Sequence, residues 1–332
     1  QNFFTGDCLA ALRRDSLPGV QSVRQPVHHP DEINTLFDGA IVYAKGAHLM
    51  FMLIRLIGQD KFFQGIKNYF KKHQYQNTTG DDLWEALQPF ADFKIKAFMD
   101  AWLSQPGYPV LTKNQQQRFL LDNSHDDSVW PLPKIQDDMS GHYLINLDDA
   151  EFATKLQEFS NLSLEQKLRL LIDRQLLAKT NFVPSVSLID LVLSFRSETS
   201  QPIWDILLSI AASLKIFFDP KTKTFQSYQN FLRQLTKSQI QRLDLTAKPQ
   251  ESANDSKLRP MLLATAVLAN DTELIESLTN LYQADLLKIN ADIRPSILLA
   301  KLISSDEQIL PKFISNYQAA TDQDLKADLL AC

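Results

Sequence analysis

The last glycine of this chain is Gly141, and the 191 residues that follow it contain none. Glycine supplies the positive φ of tight hairpins and phosphate-cradling loops, so a dinucleotide-binding unit, a P-loop or a hairpin-rich sheet is disfavoured there. Packed helices are what remains. Histidine follows the same boundary: His28, His29, His48, His73, His125 and His142 all precede residue 143. Imidazole chemistry is confined to the front of the chain.

The 332 residues, 44% hydrophobic and 22% charged, suit a globular protein of two or three domains. The net charge is −5, and no segment carries the basic excess of a nucleic-acid footprint, so no nucleic-acid partner is expected. Cys8 and Cys332 sit near opposite ends, which excludes a disulfide framework or a cysteine metal cluster within the chain and fits a reducing compartment. The most apolar window, Ile41 to Ile57, is interrupted by Lys45, His48 and Arg55. It is too short for a bilayer span and reads as a buried helix, so no membrane partner is expected. The chain begins at Gln1 rather than an initiator methionine, so the natural N-terminus is expected upstream.

The pattern predicts a helix over Asp38 to Ile57, capped by Asp38 and ended by Gly58, and a second from Asp60 with Phe62, Phe63, Ile66, Tyr69 and Phe70 at helical spacing. Thr79-Gly80-Asp81-Asp82 caps a third helix, and a fourth carries Ile95, Phe98, Met99, Trp102 and Leu103 before stopping at Gln105-Pro106-Gly107-Tyr108-Pro109. Short extended segments follow at 110–112, 118–121, 129–132 and 142–145. From about Asp149 the chain is a series of amphipathic segments: 151–159, 164–178, 185–195, 203–217, 225–235, 258–268, 272–287, 293–303 and 307–317. Prolines fall mostly at their junctions or first turns. The fold class is therefore mostly α. It combines the helical end of a domain at 1–106, a small sandwich-like β domain at 107–149 and an irregular α-solenoid at 150–332.

No His-Glu-x-x-His is present, and His28-His29-Pro30 does not present two nitrogens to one ion. The doubled acids Asp126-Asp127 and Asp137-Asp138 lack the spacing of a calcium loop and read as solvated loops. No metal ligand is assigned within the chain, and no self-contained active site is visible. Phe37-Asp38-Gly39-Ala40-Ile41-Val42-Tyr43-Ala44-Lys45-Gly46 stands out instead, because each glycine weakens a helix by about 1 kcal/mol. Their presence suggests close approach of another backbone or a ligand. Spacing alone makes Tyr43 a core tyrosine with a satisfied hydroxyl.

Three blocks, "FDGAIVYAKGAHLMFML", "FFQGIKNYFKKHQYQNTTGDDLWEAL" and "FMDAWLSQPGYPVL", resemble the zinc aminopeptidase N family, the gluzincin or membrane alanyl aminopeptidase type, in order and spacing. The likeness is dense over residues 1 to about 112 and weaker further on, through "LRLLIDRQLLA" and "INADIRPSILL". Its flavour is that of bacterial cytoplasmic enzymes. The resemblance implies a thermolysin-like peptidase domain in which a zinc ion activates water for release of N-terminal residues from peptides. It makes Tyr43 the donor to the tetrahedral oxyanion and Arg294 a candidate for the peptide carboxylate, against the plain reading of a surface arginine.

The residues before Tyr43 contain neither the zinc motif nor the Gly-x-Met-Glu-Asn strand that captures the substrate amine. The chain therefore resembles the latter part of such an enzyme, a fragment lacking the zinc-binding motif. Its expected partners are a peptide substrate and the missing N-terminal part of the same enzyme. The cofactor is zinc in the full-length enzyme, with none bound to this chain, which alone should be inactive. The β region is also shorter than the family's sandwich. The alternative is a non-catalytic helical-repeat module that binds a partner on its concave face.

Overall fold

The computed structural model describes residues 3–112, 115–119, 131, 137–305 and 308–332. Contacts divide the chain into two compact units, Gln1–Ser185 and Val186–Cys332. The expected domains at 1–106, 107–149 and 150–332 divide the chain by element type, whereas the compact units follow packing.

In the first unit a π-helical turn, Phe3–Cys8, leads into α1, Leu9–Asp15. After a short helix, α2 at Ile33–Leu36, a second π turn, Ala40–Lys45, runs directly into α3, Gly46–Ile57. The single helix expected over Asp38 to Ile57 thus begins with a wider turn. Asp38 does cap it, its Oδ1 accepting the Ala40 N–H at 3.0 Å. The stretch Ala40–Ile57 is 18 residues long with a mean hydropathy of 1.5, so by length and composition it reaches what a membrane span requires, contrary to the sequence expectation. Here it is a core helix. Lys45 and His48 are buried within it, and Leu49, Met52, Leu53 and Ile57 pack into the unit's hydrophobic core.

Three helices complete that core: α4 at Gln59–His73, α5 at Gly80–Leu87 and α6 at Ile95–Ser104. They contribute Phe62, Trp84, Leu87, Ile95, Phe98, Met99 and Trp102. The Thr79 N–H and hydroxyl both reach Asp82 Oδ2, at 2.7 and 2.9 Å, and so fix the start of α5. Gly65 lets α4 lie on α5, since a Cβ there would stand 2.6 Å from Leu87 Cδ2 and 3.2 Å from the Ala86 carbonyl.

Strands β1 (Tyr108–Thr112), β2 (Gln115–Phe119) and β3 (Leu144–Ile145) form one sheet in the order β2-β1-β3. β1 and β2 are antiparallel, pairing Tyr108 with Phe119 and Thr112 with Gln115. β1 and β3 are parallel, pairing Val110 with Leu144. Of the expected extended segment at 129–132 only Pro131 is described, and Asp126-Asp127 and His125 lie outside the described residues. Asp137 and Asp138 lie in a bend, the first exposed and the second half-buried, and each carries an ion pair, Asp137 with Lys155 at 2.7 Å and Asp138 with Arg55 at 3.0 Å. Helices α7 (Asp149–Gln157) and α8 (Leu164–Lys179) close the unit. Arg169 of α8 is buried, and its guanidinium donates to the carbonyls of Asp138, Gly141 and Tyr143.

The second unit comprises α9 (Ser187–Ser194), α10 (Gln201–Leu214), α11 (Lys223–Leu243), α12 (Ala253–Leu268), α13 (Thr272–Asn280), α14 (Arg294–Ser304), α15 (Ile309–Ala319) and α16 (Gln323–Ala331). Each helix packs on sequence neighbours, such as α11 on α12 and α13 on α14, the nearest-neighbour pattern of a solenoid. The mostly α expectation holds. α11 runs eight residues past the expected end at Leu235, α16 lies beyond the last expected segment, and two further boundaries differ. α12 begins five residues before Leu258, so Pro260 lies inside it rather than in its first turn. α13 stops at Asn280, and Asp285 caps a separate 3-10 turn at Leu286–Lys288. Without glycine, Asn181, Asp244, Gln250 and Asn270 take the positive φ at turns.

Arg259 ties the second unit together. Fully buried, it donates from Nε to the Asp244 carbonyl at 3.0 Å, from Nη2 to that of Leu243 at 3.3 Å and from Nη1 to Glu251 Oε2 at 2.9 Å. It thereby satisfies carbonyls at the end of α11 that helix geometry leaves open. Arg259→Met leaves Glu251 and those carbonyls without partners, and should lower stability by about 3–5 kcal/mol. Urea unfolding followed by far-ultraviolet circular dichroism measures the loss; an unchanged midpoint and slope would remove Arg259 from this role.

Candidate functional site

Tyr43 lies on the π turn Ala40–Lys45 and is 66% exposed, its ring edge-to-face with Phe37 at 5.4 Å between centroids. The core reading from spacing fails here for a geometric reason. The buried side chains Ile41, Ala44, Lys45, His48, Leu49 and Met52 keep α-helical spacing through the turn, and Tyr43 falls with Ala47 on the opposite, exposed face. The flanking glycines are not explained by close packing either, since a Cβ at Gly39 or Gly46 would meet no described atom within 4 Å. The N-terminal side of the turn is fixed by Asp38, which also accepts from Arg14 Nε of α1.

Two residues on, Lys45 is buried and fully engaged. Its ammonium donates to the carbonyls of Gln105 (3.0 Å) and Gly107 (3.1 Å) and lies 2.8 Å from Asp15 Oδ2. Asp15 also accepts the Gly107 N–H at 2.8 Å through Oδ1 and the His142 Nε2–H at 2.8 Å through Oδ2. His48, one turn beyond Lys45, donates Nε2–H to the Met139 carbonyl at 3.0 Å, and its Nδ1 faces His142 Nδ1 at 3.1 Å. With Nε2 of both rings donating, the Nδ1 contact is a hydrogen bond only while one ring also carries a proton on Nδ1. The network joins the Tyr-x-Lys-Gly turn to the Gln-Pro-Gly turn, where Gly107 takes φ 80°.

Burial alone would raise the Asp15 carboxyl, but Lys45 and His142 bring it below the usual carboxylate range. Burial first, then the charges of His142 and Arg169, holds His48 well below the ordinary imidazole value. Burial lowers His142 as well, with Asp15 opposing. Neither composition nor motif spacing marks Asp15, Lys45, His48 and His142 as a unit. The available signal was a lysine and a histidine three residues apart inside the most apolar window, which buried polar groups tolerate only when paired.

Arg294 opens α14 and is not on the surface. It is 4% exposed, with Nε 2.8 Å from Asp328 Oδ2 of α16, and among the described residues its Nη1 has no hydrogen-bond partner. Tyr43 and Arg294 belong to different units. His28 and His29 are exposed, and His29 Nδ1 accepts the Asp31 N–H at 3.2 Å. Among the described residues, no three His, Cys, Asp or Glu side chains are arranged to hold a metal ion. His48, His142 and Asp15 do meet, but their polar atoms face one another and the Lys45 ammonium occupies the carboxylate. The described residues do not fit a zinc ion.

Residues 1–102 match the Peptidase family M1 domain, and residues 133–332 match the ERAP1-like C-terminal domain. The first match places the front of the chain, with Tyr43, in a peptidase domain. The chain belongs to the M1 aminopeptidase N family. Aminopeptidase N of Lactococcus lactis subsp. lactis is 33% identical over 366 aligned positions, covering 96% of this chain and 43% of that protein. Aminopeptidase N of Lactobacillus helveticus is 30% identical, covering 98% and 44%, and Aminopeptidase 2 of Candida albicans is 29% identical, covering 93% and 39%. The chain thus spans less than half the length of these relatives. The Lactococcus alignment is longer than the chain itself, so that relative carries residues this chain lacks.

The lowered His48 value gives a signed pH dependence. Unfolded, the ring titrates near 6.5, and folded it titrates lower. Its contribution to stability is complete above 6.5 and is lost as pH falls toward the folded value. His48→Gln should therefore destabilise the chain more at about pH 7.5 than at about pH 5.5. Thermal melts of both proteins at the two pH values test it, and an equal loss at both would mean that His48 does not titrate differently on folding.

Proposed function

We propose that the chain is part of a zinc metallo-aminopeptidase that releases N-terminal amino acids from peptides, within a thermolysin-like catalytic domain and in the cytoplasm. Membership of the M1 family and the resemblance of the Tyr-x-Lys-Gly segment support this reading. The observation that carries it is the exposed phenol of Tyr43 on a turn locked by a buried lysine. A hydroxyl held there donates a hydrogen bond to the negative oxygen of a tetrahedral intermediate without rearranging first, which is how preorganised donors lower a barrier. The metal, which supplies the activated water, would be held by residues of the whole enzyme other than those described here. Arg294 is the residue proposed to steer the peptide carboxylate, a role that its burial and its ion pair with Asp328 oppose unless the side chain moves.

In the whole enzyme, Tyr43→Phe should lower kcat by about 10²–10³, the effect of losing one oxyanion donor, with zinc content unchanged. Steady-state hydrolysis of an aminoacyl anilide, with elemental analysis of the same samples, measures both. An unchanged kcat would remove Tyr43 from the reaction. The 332-residue chain alone should bind no stoichiometric zinc and hydrolyse no anilide; one tightly held zinc per chain would overturn the proposed division of the enzyme.

A further inference from the structure

A cavity of about 280 Å³ opens in the first unit between the later part of α3, the start of α4 and the segment 140–143. Phe51, Ile54 and Tyr143 supply apolar wall. Both sides are held from behind. Phe51 stands edge-to-face with Phe3 and Phe4, at 5.5 and 5.7 Å between centroids. Opposite it, Arg169 donates to the carbonyls of Asp138, Gly141 and Tyr143 and lies 5.0 Å from the centre of the Tyr143 ring, which fixes the segment bearing Ser140. Gly141 is required in that segment, since a Cβ there would overlap the Tyr143 ring.

The lining holds donors that are open and uncommitted. Ser140 is 3% exposed, and among the described residues its hydroxyl has no hydrogen-bond partner, yet it is not one of the sealed unpaired atoms and keeps accessible surface. Arg55 is its neighbour, because one carboxylate holds both: Asp138 accepts the Ser140 N–H at 2.9 Å on Oδ1 and Arg55 Nη2 at 3.0 Å on Oδ2. The Arg55 side chain is half in solvent, where such a pair contributes little, and the pair engages Nη2 alone. Gln59 begins α4 in the same lining, and that helix has no side-chain cap, so its first amides are open as well. A hydroxyl, a guanidinium and the positive end of a helix converge on one class of ligand atom, an anionic oxygen.

We propose that this cavity binds a small monocarboxylate with an apolar body, the carboxylate accepting from the Ser140 hydroxyl and from Arg55 beside the open start of α4, and the hydrocarbon lying against Phe51, Ile54 and Tyr143. The unpaired hydroxyl is the observation that carries this, because a buried donor without an acceptor is unfavourable and a carboxylate oxygen satisfies it. Asp138 touches both Ser140 and Arg55, and its charge disfavours a second negative charge such as a phosphate dianion brings. At the ~30 Å³ that a water occupies in the liquid, the volume holds about nine non-hydrogen atoms. An apolar wall with a few placed polar groups is the usual make-up of a small-molecule site. The proposal does not depend on the role of Tyr43.

Benzoate, which matches this size and charge, is the probe, and benzamide is its neutral counterpart. Isothermal titration of the 332-residue chain should give a Kd of about 1 mM or tighter for the acid, and binding about tenfold weaker or worse for the amide. Ser140→Ala, which removes one oxygen, and Arg55→Gln, at an exposed position, should each lose about tenfold in affinity for the acid while the circular dichroism spectrum is unchanged. Arg24→Gln, which breaks an exposed pair with Asp100 elsewhere on the unit, should bind like the parent. Equal binding of acid and amide, a Ser140→Ala or Arg55→Gln protein that binds like the parent, an equal loss in Arg24→Gln, or no saturable binding of benzoate up to about 10 mM would each overturn the proposal. The comparison of acid with amide needs no variant, so it decides even if a substitution prevents folding.

Discussion

One buried carboxylate organises the first unit. Asp15, at the end of α1, draws together the Lys45 ammonium from the end of the π turn, the Gly107 amide from the turn before β1 and the His142 ring from the segment before β3. None of these charges touches water, so each is tolerable only while the others are in place, and removing one partner leaves an uncompensated ion in the core. The arrangement therefore fixes distances between segments that lie far apart in sequence. Tyr43 stands two residues from Lys45 on the same rigid turn, and its exposed phenol inherits that fixity from the core rather than from contacts of its own.

Much of the helical architecture is legible from apolar spacing and capping residues. α5 and α8 begin at the capping boxes of Thr79 and Ser163, and α4 and α6, which have no side-chain cap, follow from their apolar stripes. Legibility ends where a long-range acceptor decides the outcome. Arg169 and Arg259 look like the wet side of amphipathic helices, yet both are buried, because carbonyls around Gly141 and Asp244 fold back to meet them. No local period announces such partners. Tyr43 is the sharper case: the run from Ile41 is so apolar that its sequence does not show which face is wet, and the buried stripe of Ile41, Ala44, Lys45 and His48 leaves Tyr43 outside.

The candidate site was legible in a different way. Resemblance singled out Tyr43 and the Gln-Pro-Gly turn as separate blocks, and the structure shows them bonded to each other through Lys45. The partners completing that bond, Asp15 and His142, fall outside those blocks or at their far edge, where neither composition nor spacing distinguishes them from ordinary residues. Arg294 was placed correctly at a helix start but not in its surroundings, since its ion pair with Asp328 links α14 to α16.

The glycine-free stretch after Gly141 also acts on the chain before it folds. Every glycine withheld narrows the conformations open to the unfolded polypeptide, which favours the native state by about 0.4–1 kcal/mol at each position whose backbone another residue can adopt. The exceptions are the turns where Asn181, Asp244, Gln250 and Asn270 accept left-handed backbone, at about 1–2 kcal/mol of local strain apiece. The back of the chain thus exchanges a few strained corners for a stiffer denatured ensemble, and part of its stability resides in a state that no native contact records.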